Sequence, residues 1–99
     1  MRAVIAPEPG GPDALVVTER EDPEPGPGEV VLDVVATAVN RADTLQRAGH
    51  YPAPPGVPPD IPGLEFAGVV ESVGREVDAL SPGDHVMGLA GGGAQRLRV

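Results

Sequence analysis

Several residue types are missing from this chain, and each absence removes a class of function. The chain has 99 residues and no cysteine, and all seven of its cationic side chains are arginine. The lack of cysteine excludes disulfides, thiolate metal sites and cysteine nucleophiles. The lack of lysine excludes a Schiff-base or P-loop lysine. With one tyrosine and one phenylalanine, any core must consist of valine, leucine, isoleucine and alanine.

The charge balance makes two kinds of partner improbable. The formal net charge is −8, and no basic run offsets it, so nucleic acid and anionic membrane would be repelled. Residues 1–6 are too short for the apolar part of a signal peptide, and no apolar run approaches the roughly 20 residues of a membrane helix. We therefore expect one small domain in the cytoplasm, with neither a nucleic-acid nor a membrane partner.

Glycine and proline are abundant, with 14 and 13 copies, and they cluster between apolar runs as turns between strands would. We predict strands at 2–6, 14–20, 29–39, 66–73, 84–89 and 94–99. In the longest of them, alternation places one purely apolar set on the buried face. That set is Val30, Leu32, Val34, Ala36 and Ala38.

One short helix is predicted after the third strand. Asn40 suits its N-cap, Asp43 suits the third helical position near the positive end of the dipole, and Gly49 suits its end. The proline-rich segment 50–62 must be an extended surface loop, and a loop of this length is often functional. Strands that follow strands without alternating helices favour a mainly β fold, a distorted antiparallel barrel or sandwich with one short helix and proline-rich loops.

The segment 63–74, Gly-Leu-Glu-Phe-Ala-Gly-Val-Val-Glu-Ser-Val-Gly, carries a family resemblance. Together with Met-Arg-Ala-Val at the start, Pro-Gly-Pro-Gly-Glu-Val at 25–30 and Pro-Gly-Asp-x-Val at 82–86, it resembles the N-terminal GroES-like portion of the medium-chain dehydrogenase/reductase superfamily. The resemblance implies a GroES-like distorted barrel over residues 1–99. It also implies a Rossmann domain that binds NADPH and is absent from this chain.

Two positions point to one branch of that superfamily. Leu64 stands where the zinc alcohol dehydrogenases have a histidine ligand, and Asn40 stands where they have a cysteine ligand. An amide is a poor zinc ligand beside a thiolate. The resemblance is therefore to the zinc-independent quinone oxidoreductases, with no metal site. For the neighbouring Glu65, a salt bridge or a hydrogen bond to backbone is the simpler expectation.

The resemblance also implies site residues. Asn40 and Asp43 would border the nicotinamide and substrate pocket, Tyr51 would lie at the substrate cleft, and Gly92 would approach the cofactor. From the residues alone, Asn40 and Asp43 can equally be helix caps, Tyr51 a loop anchor, and Gly91–Gly93 a hairpin turn. His50 is expected to be solvated and His85 to be structural.

The implied activity is hydride transfer from NADPH to a quinone or enone without catalytic zinc, with Tyr51 and Asn40 polarising the carbonyl. A homodimer is a further expectation for the full-length protein, and the 99-residue chain is expected to be inactive alone. Two alternatives remain open. One is a non-catalytic GroES-like binding or assembly module, and the other is a zinc alcohol dehydrogenase relative with substituted ligands.

Overall fold

The structure, a computed structural model, describes residues 1–99. It confirms a mainly β fold with one short helix. The strands are β1 (Arg2–Ile5), β2 (Val16–Glu19), β3 (Val30–Thr37), β4 (Glu65–Val73) and β5 (His85–Leu89), and the helix is α1 (Arg41–Ala48). Part of the second predicted strand is instead a single 3-10 turn at Pro12–Ala14. Proline at the start of that turn and glycine before it favour a turn over an extended chain.

Two antiparallel sheets make up the fold. β1 pairs with β2 from Arg2 opposite Glu19 to Ile5 opposite Val16, and the second sheet has the order β3-β4-β5. A small core of Ala3, Ile5 and Ile61 lies beneath the first sheet. Ile61 belongs to the proline-rich loop and is 2% exposed. That loop is therefore partly core, not entirely surface.

The predicted buried face of β3 is only partly correct. The register of β3 on β4 shifts between Val31 and Leu32 and again between Val34 and Ala36. Each irregularity moves the following side chains relative to the regular alternation. As a result the consecutive residues Val31 and Leu32 are both buried, while Ala36 is exposed.

The predicted last strand at 94–99 is wrong as a continuous strand. This segment divides its hydrogen bonds between the two sheets: the amide of Leu97 donates to Arg2 O at 3.0 Å, and the carbonyl of Leu97 accepts from Val34 N at 2.8 Å. Only isolated bridges form, from Arg96 to Ala3 and from Arg98 to Asp33. We call residues 94–99 the crossing segment, because it joins the first sheet to the second.

Helix α1 begins and ends as predicted. Asn40 is its N-cap and Gly49 follows it with φ of 89° in the left-handed region. The helix is held at both sides by side chains: Gln46 Nε2 donates to Pro59 O at 3.2 Å, and Arg47 Nε donates to Gly10 O at 3.2 Å. The one buried residue of the helix is Asp43, so the helix turns a carboxylate to the interior.

No helix of the structure has the length and apolar composition needed to cross a membrane.

Candidate functional site

Asp43 is the most buried polar residue of the fold and links α1 to the segment before β4. It is 6% exposed, and each carboxylate oxygen accepts one backbone N–H. Oδ2 accepts from Asn40 N at 3.0 Å, and Oδ1 accepts from Gly63 N at 3.1 Å. A carboxylate in the first turn is also favoured by the helix dipole. Both oxygens are directed inward, so Asp43 fixes the positions of Asn40 and Gly63.

Gly63 has to be glycine for this contact to form. Its φ is +116°, and a Cβ atom there would lie 2.7 Å from the backbone nitrogen of Gln95 in the crossing segment. Any larger residue would push the crossing segment away from the segment that enters β4. The first glycine of the family motif is thus a packing requirement, and it carries no chemistry itself.

Asn40 is oriented by a side chain that is 25 residues away in sequence. Its Nδ2 donates to Glu65 Oε2 at 2.9 Å. A carboxylate can only accept, so the NH₂ end of the amide must face Glu65. Glu65 itself is held at the start of β4, where its carbonyl accepts from Thr37 Oγ1 at 2.8 Å. The expected salt bridge or backbone contact of Glu65 is replaced by this side-chain pair.

An open cleft of about 340 Å³ lies beside the Asn40–Glu65 pair, across the adjacent ends of β3, β4 and β5. The register places Ala36, Ala67 and Met87 in one row across the sheet. Met87 and Leu89 are 85% and 84% exposed and form part of the wall. Its other lining residues are Thr37, Ala38, Glu65, Phe66 and Gly88. The volume and the apolar lining suit a small, mostly apolar molecule.

Tyr51 and Gly92 lie apart from this cleft. Tyr51 is 38% exposed, and its hydroxyl has no hydrogen-bond partner in the protein. Gly92 is buried, and a Cβ atom added to it would lie 3.1 Å from Val57 Cγ2 in the proline-rich loop. Asn40 and Asp43 are therefore adjacent to each other, but none of the four predicted site residues, Asn40, Asp43, Tyr51 and Gly92, lines the cleft.

The glycine triplet does not form the expected hairpin turn. Ala90 N donates to Leu64 O and Gly93 N donates to Ile61 O, so this stretch runs beside residues 61–64. No helix N-terminus follows it, and without one it lacks the usual geometry of a phosphate cradle. His85, expected to be structural, is exposed on β5.

The donor set around Asn40 does not suit catalytic zinc. Leu64 offers no lone pair, the chain has no cysteine, and Asn40 offers only an amide oxygen, which is a poor zinc ligand beside a thiolate. No three His, Cys, Asp or Glu side chains converge in the structure. A catalytic zinc ion needs three protein ligands, mostly histidine nitrogens and cysteine sulfurs.

A second groove, of about 310 Å³, lies between the two sheets and includes Arg96 of the crossing segment. Arg96 Nε is buried without a hydrogen-bond partner. Burial lowers the pKa of Arg96, because the charged guanidinium loses solvation. This groove shares its edge residues Ala36 and Thr37 with the first cleft.

The sequence predicted the places of Asn40 and Asp43 at the start of α1, but it did not predict the contact of Asn40 with Glu65 or the apolar walls of the cleft. The assignment of Asn40 and Asp43 to a functional site remains a prediction. One signal for the apolar wall was available in β5. Met87 and Leu89 alternate with Val86 and Gly88, so the two large apolar residues share one face of the strand, and that face is exposed. Phe66 and Thr37 carried no comparable signal, because phenylalanine and threonine are common in strands whether or not they line a cleft.

Comparison with known proteins agrees with this fold. The family described as "Alcohol dehydrogenase GroES-like domain" matches residues 26–96, and the chain belongs to that family. The chain is 46% identical over 77 residues to a quinone oxidoreductase of Pseudomonas aeruginosa, covering 78% of this chain and 23% of that protein. It is 45% identical over 87 residues to a 2-haloacrylate reductase of a Burkholderia species, covering 87% and 26% respectively.

The likeness extends to solved structures. The crystal structure of the human synaptic vesicle membrane protein VAT-1 homolog-like protein superimposes with a TM-score of 0.91 at 35% identity, over all of this chain and 32% of that one. The fold is therefore the GroES-like domain, and its sequence lies in the quinone oxidoreductase branch of the medium-chain dehydrogenase/reductase superfamily. The chain spans about a quarter of the length of the two curated relatives.

Proposed function

We propose that this chain is the substrate-binding GroES-like domain, residues 1–99, of a longer NADPH-dependent reductase of quinones or enones that works without catalytic zinc. The observation that carries the proposal is the anchoring of Asn40 at a position where the resemblance places a metal ligand of the zinc relatives. Its side-chain amide is held by Glu65, a residue of the apolar cleft, and its backbone N–H is held by Asp43. The curated relatives named as reductases support the reaction class.

The role of Asn40 follows from its orientation. One Nδ2 hydrogen is given to Glu65, which lines the cleft. Asn40 itself does not line the cleft, so its second Nδ2 hydrogen would be given to the carbonyl oxygen of a substrate that extends past Glu65. A fixed N–H donor aimed at developing negative charge stabilises it without reorganisation during the reaction. Asn40 would thus polarise the substrate carbonyl, which zinc would do in a zinc enzyme.

Asp43 acts in this proposal as a positioning residue. Its two backbone contacts, at 3.0 and 3.1 Å, fix the first turn of α1 and the approach to Glu65. Asp43 would affect the nicotinamide only indirectly, by fixing the position of Asn40 and of the backbone that Asp43 holds. Tyr51 would join the site from the loop after α1, as a second donor to the substrate.

The cofactor would be held mainly by a Rossmann domain beyond this chain, and when bound it supplies the hydride. Residues 91–93 do not form a phosphate cradle here, so Gly92 would at most lie against the cofactor by backbone contact. We further propose a cytoplasmic, homodimeric full-length protein with a small-molecule substrate. The 99-residue chain alone is expected to be inactive.

The test is steady-state kinetics of the full-length gene product with a quinone and an enone. Asn40→Ser keeps a residue suited to the N-cap but removes the amide donor, and we expect kcat/KM to fall about 10²-fold. Tyr51→Phe should also lower the rate, and an unchanged kcat/KM would remove Tyr51 from the mechanism. His50→Asn, on the exposed neighbour of Tyr51, is the matched control and should change little.

Three measurements would contradict other parts of the proposal. Stoichiometric zinc in the purified protein would support the zinc alcohol dehydrogenase alternative. A preference for NADH would correct the coenzyme. Full activity of the isolated 99-residue chain would show that no further domain is needed.

The non-catalytic alternative is favoured by one observation. The edge strand β5 exposes Met87 and Leu89, and exposed apolar edges can pair with other chains. Concentration-dependent association on size-exclusion chromatography, together with no reductase activity, would favour an assembly module.

A further inference from the structure

Most of the proline-rich loop lies on the glycine triplet without a hydrogen bond to hold it there. We propose that residues 51–58 form a lid that closes on Gly91–Gly93, and that this lid has to open before a cofactor touches Gly92. The contact of Gly92 with a cofactor rests on the proposed function. The lid itself rests on the contacts of residues 51–58.

Each glycine of the triplet faces one residue of the lid, at 3.1–3.2 Å from the place where a Cβ atom would stand. The three lid residues are, in the same order, Pro54, Val57 and Pro58. Because glycine has no side chain, the lid lies directly on the backbone of the triplet. Gly92 is buried in this arrangement, so a ligand does not reach it while the lid is closed.

Only packing holds the lid in its closed position. No hydrogen bond joins residues 51–58 to the rest of the chain, whereas both flanks are anchored. On one side, His50 N donates to Leu45 O at 2.8 Å. On the other side, Gln46 Nε2 donates to Pro59 O at 3.2 Å. Segments without hydrogen bonds to the rest of the fold are among the first to open.

The backbone of the lid combines stiff parts with a joint. Four of its eight residues are proline, which fixes φ and stiffens the segments on either side of Gly56. Gly56 has φ of 89°, and no atom lies within 4 Å of a Cβ atom added there. A change of its backbone angles therefore meets no obstacle, as a hinge requires. Tyr51 is the first residue of the lid, so its phenol moves when the lid opens.

A disulfide tests whether the lid opens, because it locks the closed state reversibly. A Cβ atom at Gly92 would lie 3.7 Å from Val57 Cβ, which is within the usual range for a disulfide. The chain has no cysteine of its own to compete. The double variant Val57→Cys/Gly92→Cys is made in the full-length gene product and compared in its oxidised and reduced forms. Val57→Cys alone, treated with the same oxidant, is the matched control.

Two measurements compare these forms. Hydrogen exchange of the amide of residue 92, which is buried and has no acceptor in the protein, reports opening without any cofactor. The disulfide should slow this exchange by about tenfold or more. Calorimetry with NADP⁺ reports cofactor binding, and the disulfide should weaken the apparent affinity by about tenfold or more, since only the open fraction binds. Reduction should restore both values, and the oxidant should change neither in Val57→Cys.

A second variant tests the lid in the opposite direction. Gly91→Val places a branched side chain against the ring of Pro54. That ring is part of the backbone, so the lid should be lifted and the amide of Gly92 should exchange faster. Gly11→Val, where nothing lies within 4 Å of an added Cβ atom, is the control and should leave exchange unchanged. Gly91→Val keeps the test decisive should the double variant fold poorly.

The outcomes distinguish the lid from the proposed function. Wild-type exchange at Gly92 as slow as at Val70, a core residue that is 2% exposed, would mean that only global unfolding exposes Gly92 and would overturn the inference. A folded double variant that forms no disulfide, unchanged NADP⁺ binding in its oxidised form, or unchanged exchange in Gly91→Val would also overturn it. If wild type does not bind NADP⁺ but the disulfide slows exchange, the cofactor part of the proposed function is wrong and the lid is supported.

Discussion

Replacing Asp43 with asparagine should destabilise this domain strongly, although the two side chains have nearly the same shape. In the native fold, both carboxylate oxygens of this 6% exposed residue accept backbone N–H groups. An asparagine retains one acceptor and presents an NH₂ group to the other N–H. One charge-assisted hydrogen bond is lost, about 1.5–3 kcal/mol, and a buried donor is left unsatisfied, about 1–3 kcal/mol.

These two effects overlap, so we expect Asp43→Asn to lower the free energy of unfolding by about 3 kcal/mol. For a domain of this size the melting temperature should fall by roughly 12–24 °C. Urea unfolding followed by circular dichroism measures the change, with an unaltered m-value as the sign that the native surface is retained. Asp13→Asn, on an exposed residue of the 3-10 turn, is the control and should stay within about 0.5 kcal/mol. A loss below about 1 kcal/mol for Asp43→Asn would refute the assigned hydrogen bonds.

Two other substitutions test the packing of the sheets. A Cβ atom at Gly68 would lie in collision with Asp33 O of β3 at 2.2 Å, so Gly68→Ala should separate β3 from β4 and lower stability by about 3 kcal/mol or more. Gly11→Ala, where nothing lies within 4 Å of the added atom, is its control in the same urea experiment. Arg96→Met should be neutral or stabilising by up to about 1 kcal/mol, because it removes a partly buried guanidinium whose Nε has no partner. A marked loss of stability in Arg96→Met would show that the guanidinium has a partner that the structure does not contain.

The local features of the fold were predictable because they depend on neighbours in sequence. Proline and glycine clusters mark where strands stop, and Asn40 and Gly49 mark the ends of α1 by their side-chain and backbone chemistry. The predicted positions of β1, β3, β4 and β5 therefore agree with the structure to within two residues at each end.

The predictions that the structure contradicts share a different cause. The face of β3 was assigned by strict alternation, and the irregularities near Val31 and Val34 depend on how β4 pairs with it. The crossing segment has a strand-like sequence, but it serves two sheets at once. The contact of Asn40 with Glu65 joins residues far apart in sequence, so no local pattern announces it. Each failure concerns a relation between distant segments.

The crossing segment has a consequence for the order of folding. It connects the two sheets, because Arg96 bridges to Ala3 of β1 and Arg98 bridges to Asp33 of β3. Both partners lie far from the crossing segment in the sequence. Contacts of such wide separation form slowly, since the intervening chain must first be brought together. During synthesis, we therefore expect the β1–β2 pair and the β3–β4–β5 sheet to remain undocked until residues 94–99 emerge. The apolar surfaces between the two sheets are exposed to other chains throughout that interval.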